Sequence, residues 1–300
     1  MNRANGTVPG LVTNGSGTPV LLLHCTGSTG GQWAALAKRL APRFRVVTPD
    51  IAGWGKSTDR AGTPQTLEHE AALLADLMAP YDTPFHIVGH SMGGAVALRL
   101  ALMQRARVKS LTLIEPVLFH LLRDGDEADR ALFVEPAALA QRMRAAGEAG
   151  QTDSARAASS EAAMRDFVDF WNRPGAFDAL DPAWRDSVRM RAATVAANFD
   201  ALEHATFPLH AVRAVSAPTL MMAGSATRPC TQRIAAMLFD ALPLAALATI
   251  HGAGHMLPFT HAEPVNDRIV AHIRAADGEA TAILPATTVD RTATRLPHAA

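Results

Sequence analysis

Six short apolar runs recur along this chain: Val20–His24, Arg45–Pro49, Phe85–Gly89, Val108–Ile114, Pro218–Met222 and Ala245–Ile250. Their lengths and their Val, Leu and Ile content suit strands buried on both faces. Between most of them lie stretches of helical character: Gly31–Ala41, Gln65–Ala79, Met92–Arg105 and Thr231–Leu242, with Pro264–Ala276 as a last helix. A chain that alternates strand and helix in this way is restricted to an α/β fold. The expected architecture is a mostly parallel, doubly wound sheet with right-handed crossovers.

The alternation stops between Pro116 and Val215. That stretch is Ala-rich, amphipathic and holds most of the aromatics, including Phe119, Phe167, Phe170, Trp171, Phe177, Trp184, Phe199 and Phe207. It is too long for a loop. The expected organisation is an α/β core from residues 1–115 and 216–276, a helical cap inserted at 116–215, and a disordered tail at 277–300, where no apolar period appears.

Composition narrows the function classes. The 28 basic residues balance 28 acidic ones, which leaves no basic footprint for nucleic acid and no polybasic membrane patch. Two cysteines, Cys25 and Cys230, are too few for a secreted disulfide scaffold. The start lacks the apolar core of a signal peptide, and no run of about 18 apolar residues occurs. The expectation is a cytoplasmic protein with a small-molecule partner. The sequence leaves its oligomeric state open.

The chemistry centres on Gly89-His90-Ser91-Met92-Gly93. The spelling G-x-S-x-G is weak alone, but here a strand precedes it and a helix with small residues follows. Glycines on both sides allow close backbone passage while the serine takes a strained conformation. Such a turn presents the hydroxyl at the carboxyl end of the sheet, where open α/β sheets place their sites. The plain alternative is a tight glycine turn with an idle serine. A serine hydroxyl needs a base to become a nucleophile. His255 is the candidate, late in the chain within His251-Gly252-Ala253-Gly254-His255 and flanked by small residues. His251, which closes a strand, and His261, near the start of the last helix, are its rivals. An oxyanion needs two preorganised N–H donors. One is the backbone of Met92, and the other is expected in the loop Cys25-Thr26-Gly27.

At this point the chain resembles the α/β-hydrolase family over about residues 18–274. The resemblance rests on four motifs in order: the apolar run ending His24-Cys25, Asp50-Ile51-Ala52-Gly53-Trp54-Gly55-Lys56-Ser57, Gly89–Gly93, and Gly252-Ala253-Gly254-His255. It implies that Thr26 and Met92 donate the oxyanion N–H groups. It also implies that Asp50 holds a structural turn near the mouth, with Ser57 as its partner, and that neither cofactor nor metal is needed.

Two positions depart from the family pattern. Cys25 stands where glycine is usual, and its plain reading is a small packing residue. The loop that usually carries the acid, Ala223–Cys230, has no carboxylate, and Thr227 sits about where Asp is expected. Some members place the acid after the preceding strand, which here ends in Glu115. The plain reading of Glu115 is an acceptor that ties down the start of the cap.

These readings converge on a serine hydrolase that cleaves an ester-like bond of a small, mostly apolar substrate, with Ser91, His255 and Glu115 as the catalytic group. The alternatives are a carbon–carbon bond hydrolase of the same fold, a perhydrolase side activity, and a ligand-binding or scaffold homologue without turnover.

Overall fold

The apolar runs become neighbouring strands of one sheet. The computed structural model describes residues 11–57, 66–148 and 153–279. Its strands are β1 (Val12–Asn14), β2 (Pro19–Leu23), β3 (Arg45–Thr48), β4 (Phe85–His90), β5 (Val108–Ile114), β6 (Thr219–Gly224) and β7 (Ala245–Ile250). They lie in the order β1-β3-β2-β4-β5-β6-β7. Every pairing is parallel except β1 with β3.

Strand β1 is an addition to the sequence reading. It is three residues long and exposed throughout, so it offers no apolar period to detect. Strand β7 corrects that reading. It was expected to be buried on both faces, yet it alternates between exposed and covered residues. As the last strand of the sheet it has one face open to water.

The period-two alternation of the central strands assigns their side chains to two cores. Leu21, Leu23, Ile87, Leu111 and Leu113 pack on one face with α2 (Leu67–Met78), α3 (Met92–Met103) and α9 (Pro229–Ala241). Val20, Leu22, Val88 and Ile114 pack on the other with α1 (Ala34–Leu40) and α11 (Ala262–Ala276). Burying each such side chain contributes about 1.5–3 kcal/mol. Helix α2 is capped by Thr66, whose hydroxyl accepts from the His69 N–H at 3.0 Å, and α9 opens with Pro229 at its first position.

Between β5 and β6 the chain leaves the sheet. This insertion carries α4 (Phe119–Arg123), α5 (Glu127–Glu148), α6 (Asp153–Trp171), α7 (Pro182–Arg189) and α8 (Ala192–Glu203). A short helix, α10 (Leu257–Thr260), precedes α11. Of the expected tail, residues 280–300 lie outside the described residues. Its first residue, Asp277, accepts hydrogen bonds from the Thr18 hydroxyl and the Lys109 ammonium, so the ordered domain reaches past 276. No helix among the described residues is long and apolar enough to cross a membrane.

The buried histidines predict how the fold responds to acid. Burial pushes His24 and His86 down to about 4 from their usual 6.5. As a neutral ring His24 is fully used: Nδ1–H donates to the Cys25 carbonyl at 2.8 Å and Nε2 accepts from the Ile51 N–H at 2.9 Å. A group whose pKa is depressed by folding binds more protons when unfolded, so its stabilisation is present above pH 6.5 and is lost as pH falls towards 4. Each such residue costs about 1.4 kcal/mol per pH unit across that window. The melting temperature is expected to be level above pH 7 and to fall steeply from pH 6.5 to 4.5. A level melting profile down to pH 4.5 contradicts this account.

Candidate active site

The strand order reverses between β2 and β4, and the candidate residues gather at the carboxyl ends of those two strands. The ladder that pairs Leu23 with Gly89 sets the loop at Cys25-Thr26 beside the turn at Ser91. Ser91 has φ 57° and ψ −120°, a left-handed backbone that costs about 1–3 kcal/mol for a non-glycine residue. Glycine is required around it. A Cβ at Gly89 would lie 2.2 Å from the Gly93 carbonyl oxygen, and one at Gly93 would lie 2.4 Å from that of Leu23.

His255 joins the serine to the acid. Its Nε2 lies 2.9 Å from Ser91 Oγ and its Nδ1 lies 2.8 Å from Glu115 Oε2. An ionised carboxylate can only accept, so Nδ1 carries the proton and Nε2 is free to accept from the serine hydroxyl. His251 is exposed, and His261 stands at the start of α11 with Thr260 as its partner. Neither hydrogen-bonds to Ser91, and neither lines the cavity above it.

Glu115 is fully buried and fully paired. Oε1 accepts from the Gly224 N–H at 2.7 Å, and Oε2 accepts from the Thr227 hydroxyl at 2.7 Å as well as from His255. Thr227, in the loop where an acid was expected, thus supports the carboxylate supplied by the neighbouring strand. Glu115 has φ 41°. It and Ser91 are the two non-glycine residues with positive φ among the described residues. Stored backbone strain therefore marks both ends of the same hydrogen-bonded line.

No described residue accepts from the Thr26 backbone N–H, and Met92 N–H lies in the first turn of α3, where a helix leaves donors without partners. Both are available to a ligand oxygen. A chain of side chains ties this loop to the histidine. The Cys25 N–H donates to Gln32 Oε1 at 3.0 Å, the Gln32 amide donates to His90 Nδ1 at 3.1 Å, and His90 Nε2–H donates to the His255 carbonyl at 3.0 Å. Burial holds His90 well below its usual pKa, as this neutral tautomer needs.

The departure at Cys25 is a packing substitution. Its backbone is not left-handed, so glycine is not required there, and burial pushes its thiol up to about 12. A thiol held so firmly protonated is not a nucleophile. The partner expected for Asp50 is corrected. Its carboxylate accepts from the Gly30 and Lys56 backbone N–H groups, both at 2.8 Å, and makes no bond to Ser57. A Cβ at Gly55 would lie 2.0 Å from Asp50 Oδ2, so the turn passes directly against the carboxylate.

A cavity of about 390 Å³ opens over Ser91 and His255. The insertion lines it with Phe119, Met164, Phe167, Trp171, Phe199 and Leu202. Trp171 packs its ring 4.0 Å from that of His255, which fixes the imidazole plane and offers a π face to its cation. Composition and spacing put Phe167 and Trp171 on one helical face. They did not show that the pair, rather than Phe170 or Phe177, faces the cavity. Asn198 was not singled out either. Its signal is a lone amide in the apolar stretch Ala192–Phe199.

The model of the alpha/beta hydrolase family matches residues 20–268. The chain belongs to that family. A putative carbamate hydrolase, RutD, of Azorhizobium caulinodans is 35% identical over 101 residues, 34% of this chain and 38% of that protein. A pimeloyl-[acyl-carrier protein] methyl ester esterase of Aeromonas salmonicida is 34% identical over 110 residues, 37% of this chain and 42% of that one. The matched stretch thus spans about two fifths of these relatives' length. Among solved structures, an esterase of Thermogutta terrifontis superposes with a TM-score of 0.67 at 24% identity, covering 89% of this chain and 93% of that one. MenH of S. aureus gives 0.70 at 16% identity, covering 89% and 98%. At these identities the structures show the shared fold.

Proposed function

We propose that this chain is a cofactor-free serine hydrolase that cuts an ester-like bond of a small, mostly apolar substrate, with the helical insertion as its cap. The observation that carries the reading is the continuous line Ser91–His255–Glu115 at 2.9 and 2.8 Å beneath an apolar cavity.

In this reading Ser91 Oγ attacks the substrate carbonyl as His255 Nε2 takes its proton. The imidazolium that forms is stabilised by Glu115 and by the face of Trp171. The backbone N–H groups of Thr26 and Met92 donate to the oxyanion. His255 then protonates the leaving oxygen, the bond to it breaks, and an acyl-enzyme remains. Water, deprotonated by the same imidazole, attacks the acyl carbon and releases the acid and Ser91. The reading is supported by the names of two relatives, a putative carbamate hydrolase and a methyl ester esterase.

A panel of p-nitrophenyl esters tests the reading. The apolar lining predicts that kcat/KM rises with acyl length from acetate, by roughly fourfold per added methylene at about 0.8 kcal/mol each, until the cavity is filled. Failure to turn over any ester of the panel contradicts the proposal and favours a binding role for the fold.

A further inference from the structure

We propose that the pocket accepts a substrate carrying a carboxylate remote from the bond that is cut, with Arg191 as the counter-ion and Asn198 as a donor to a polar atom between the two. The identity of the cut rests on the hydrolase reading above; the anion site does not.

Arg191 is the one arginine, lysine, aspartate or glutamate among the described residues that line the cavity. Other arginines of the insertion and its neighbourhood are neutralised: Arg144 by Asp200 and Glu203, Arg165 by Asp178, Arg228 by Glu135 and Arg233 by Asp129. Arg191 has no carboxylate within salt-bridge distance among the described residues. Its guanidinium instead lies over the Trp54 ring, 6.0 Å from the centroid. Contact with an aromatic face steadies the guanidinium and leaves its edge donors free for a planar anion.

Asn198 is an independent pointer to a ligand. It is 2% exposed and lines the same cavity. Its Oδ1 accepts from the Thr26 hydroxyl and from Trp54 Nε1–H, both at 3.0 Å. An indole N–H can only donate, so the amide orientation is fixed, with oxygen towards Trp54. That leaves the two hydrogens of Nδ2 with no acceptor among the described residues. Because Asn198 lines the cavity, a ligand oxygen there can accept from this free donor.

The two residues are seven apart along α8 and its first turn, with the Val195 N–H bonded to the Arg191 carbonyl at 2.9 Å. Seven residues are about two turns, so both side chains share a face, separated by about 10 Å along the axis. Asn198 touches Thr26, in the loop beside Ser91, and Arg191 lies over Trp54 two turns back along the helix. Both residues line the same cavity as Ser91 and both contact Trp54. An anion held by Arg191 would leave an apolar chain spanning to the serine. A dicarboxylic half-ester has this shape.

The test compares chain-matched substrates, p-nitrophenyl octanoate and mono-p-nitrophenyl suberate, on wild type, Arg191→Gln and Arg191→Lys. Wild type is expected to favour the suberate half-ester in kcat/KM, and Arg191→Gln to cut that preference about tenfold or more, through KM, as a charged hydrogen bond is worth that much. Arg191→Lys should restore part of it, which a purely structural role for Arg191 would not require. Rising salt should erode the preference in wild type and not in Arg191→Gln. Wild type without the preference, or a preference that survives in Arg191→Gln, overturns the proposal. If neither ester is cut, the hydrolase reading fails, and calorimetric titration with monomethyl suberate still decides this one. Binding weakened about tenfold by Arg191→Gln supports it. Equal binding overturns it.

Discussion

Replacing Ser91 by Ala should lower ester turnover by about 10⁴- to 10⁶-fold in kcat while the fold stays intact. The residual rate should be that of the oxyanion donors and binding alone. The substitution removes one buried oxygen whose side-chain partner is His255, and it keeps the Cβ within the strained turn. Melting temperature should therefore stay near that of wild type, or rise if alanine relieves crowding against the imidazole. Loss of activity with an unchanged melt assigns the effect to chemistry. Turnover within tenfold of wild type contradicts the account.

Glu115→Gln should cost on the order of 10⁴ in kcat with little change in KM, because the acid does not touch the substrate. The hydrogen bonds explain why an isosteric amide fails. Glu115 receives three donors, from Gly224, Thr227 and His255. An amide that turns its oxygen to His255 must turn its NH₂ to the Gly224 N–H, donor against donor. The charge that stabilises the imidazolium is also gone. Because the residue is fully buried, the same conflict should lower stability by about 1–3 kcal/mol, so kinetics must be measured well below the melt. Thr227→Asp on this background puts a carboxylate beside the position of Glu115 Oε2, which the Thr227 hydroxyl now contacts. The glutamine can then turn its oxygen to the Gly224 N–H and its NH₂ to the new acid, which is left to accept from His255. Partial recovery of kcat is expected. Activity of Glu115→Gln within about threefold of wild type removes Glu115 from the mechanism.

Much of this site is local in sequence. The elbow at Ser91 shows in the glycines within three residues of it, although the clash avoided at Gly89 is with the nearby Gly93 carbonyl and that at Gly93 is with the distant Leu23 carbonyl. The strands of the sheet announced themselves because burial on two faces demands continuous apolar runs. Strand β1 did not, since a short exposed edge strand is held by ladder hydrogen bonds that any residue makes. The same reasoning explains β7, where apolar composition was read as burial although one face is open. The placement of Glu115 was implied by the family resemblance, which offers the end of the preceding strand when the loop at Thr227 has no carboxylate. The direct contact between that threonine and Glu115, 112 positions apart, was not. Asn198 and Arg191 were invisible for a related reason. Their importance comes from Thr26 and Trp54, which lie far away in sequence and meet α8 only when the insertion folds over the sheet.

The central claim is that one buried line of hydrogen bonds activates Ser91, and covalent labelling reads this without choosing a substrate. The native protein should react with an alkyl fluorophosphonate at one site, giving a single adduct by intact mass, located on the peptide that contains Ser91. The rate should fall by at least about a hundredfold in Glu115→Gln, and heat-unfolded protein should not react at all. An absent adduct, an adduct on another residue, or an equal labelling rate in native and Glu115→Gln protein would contradict the account.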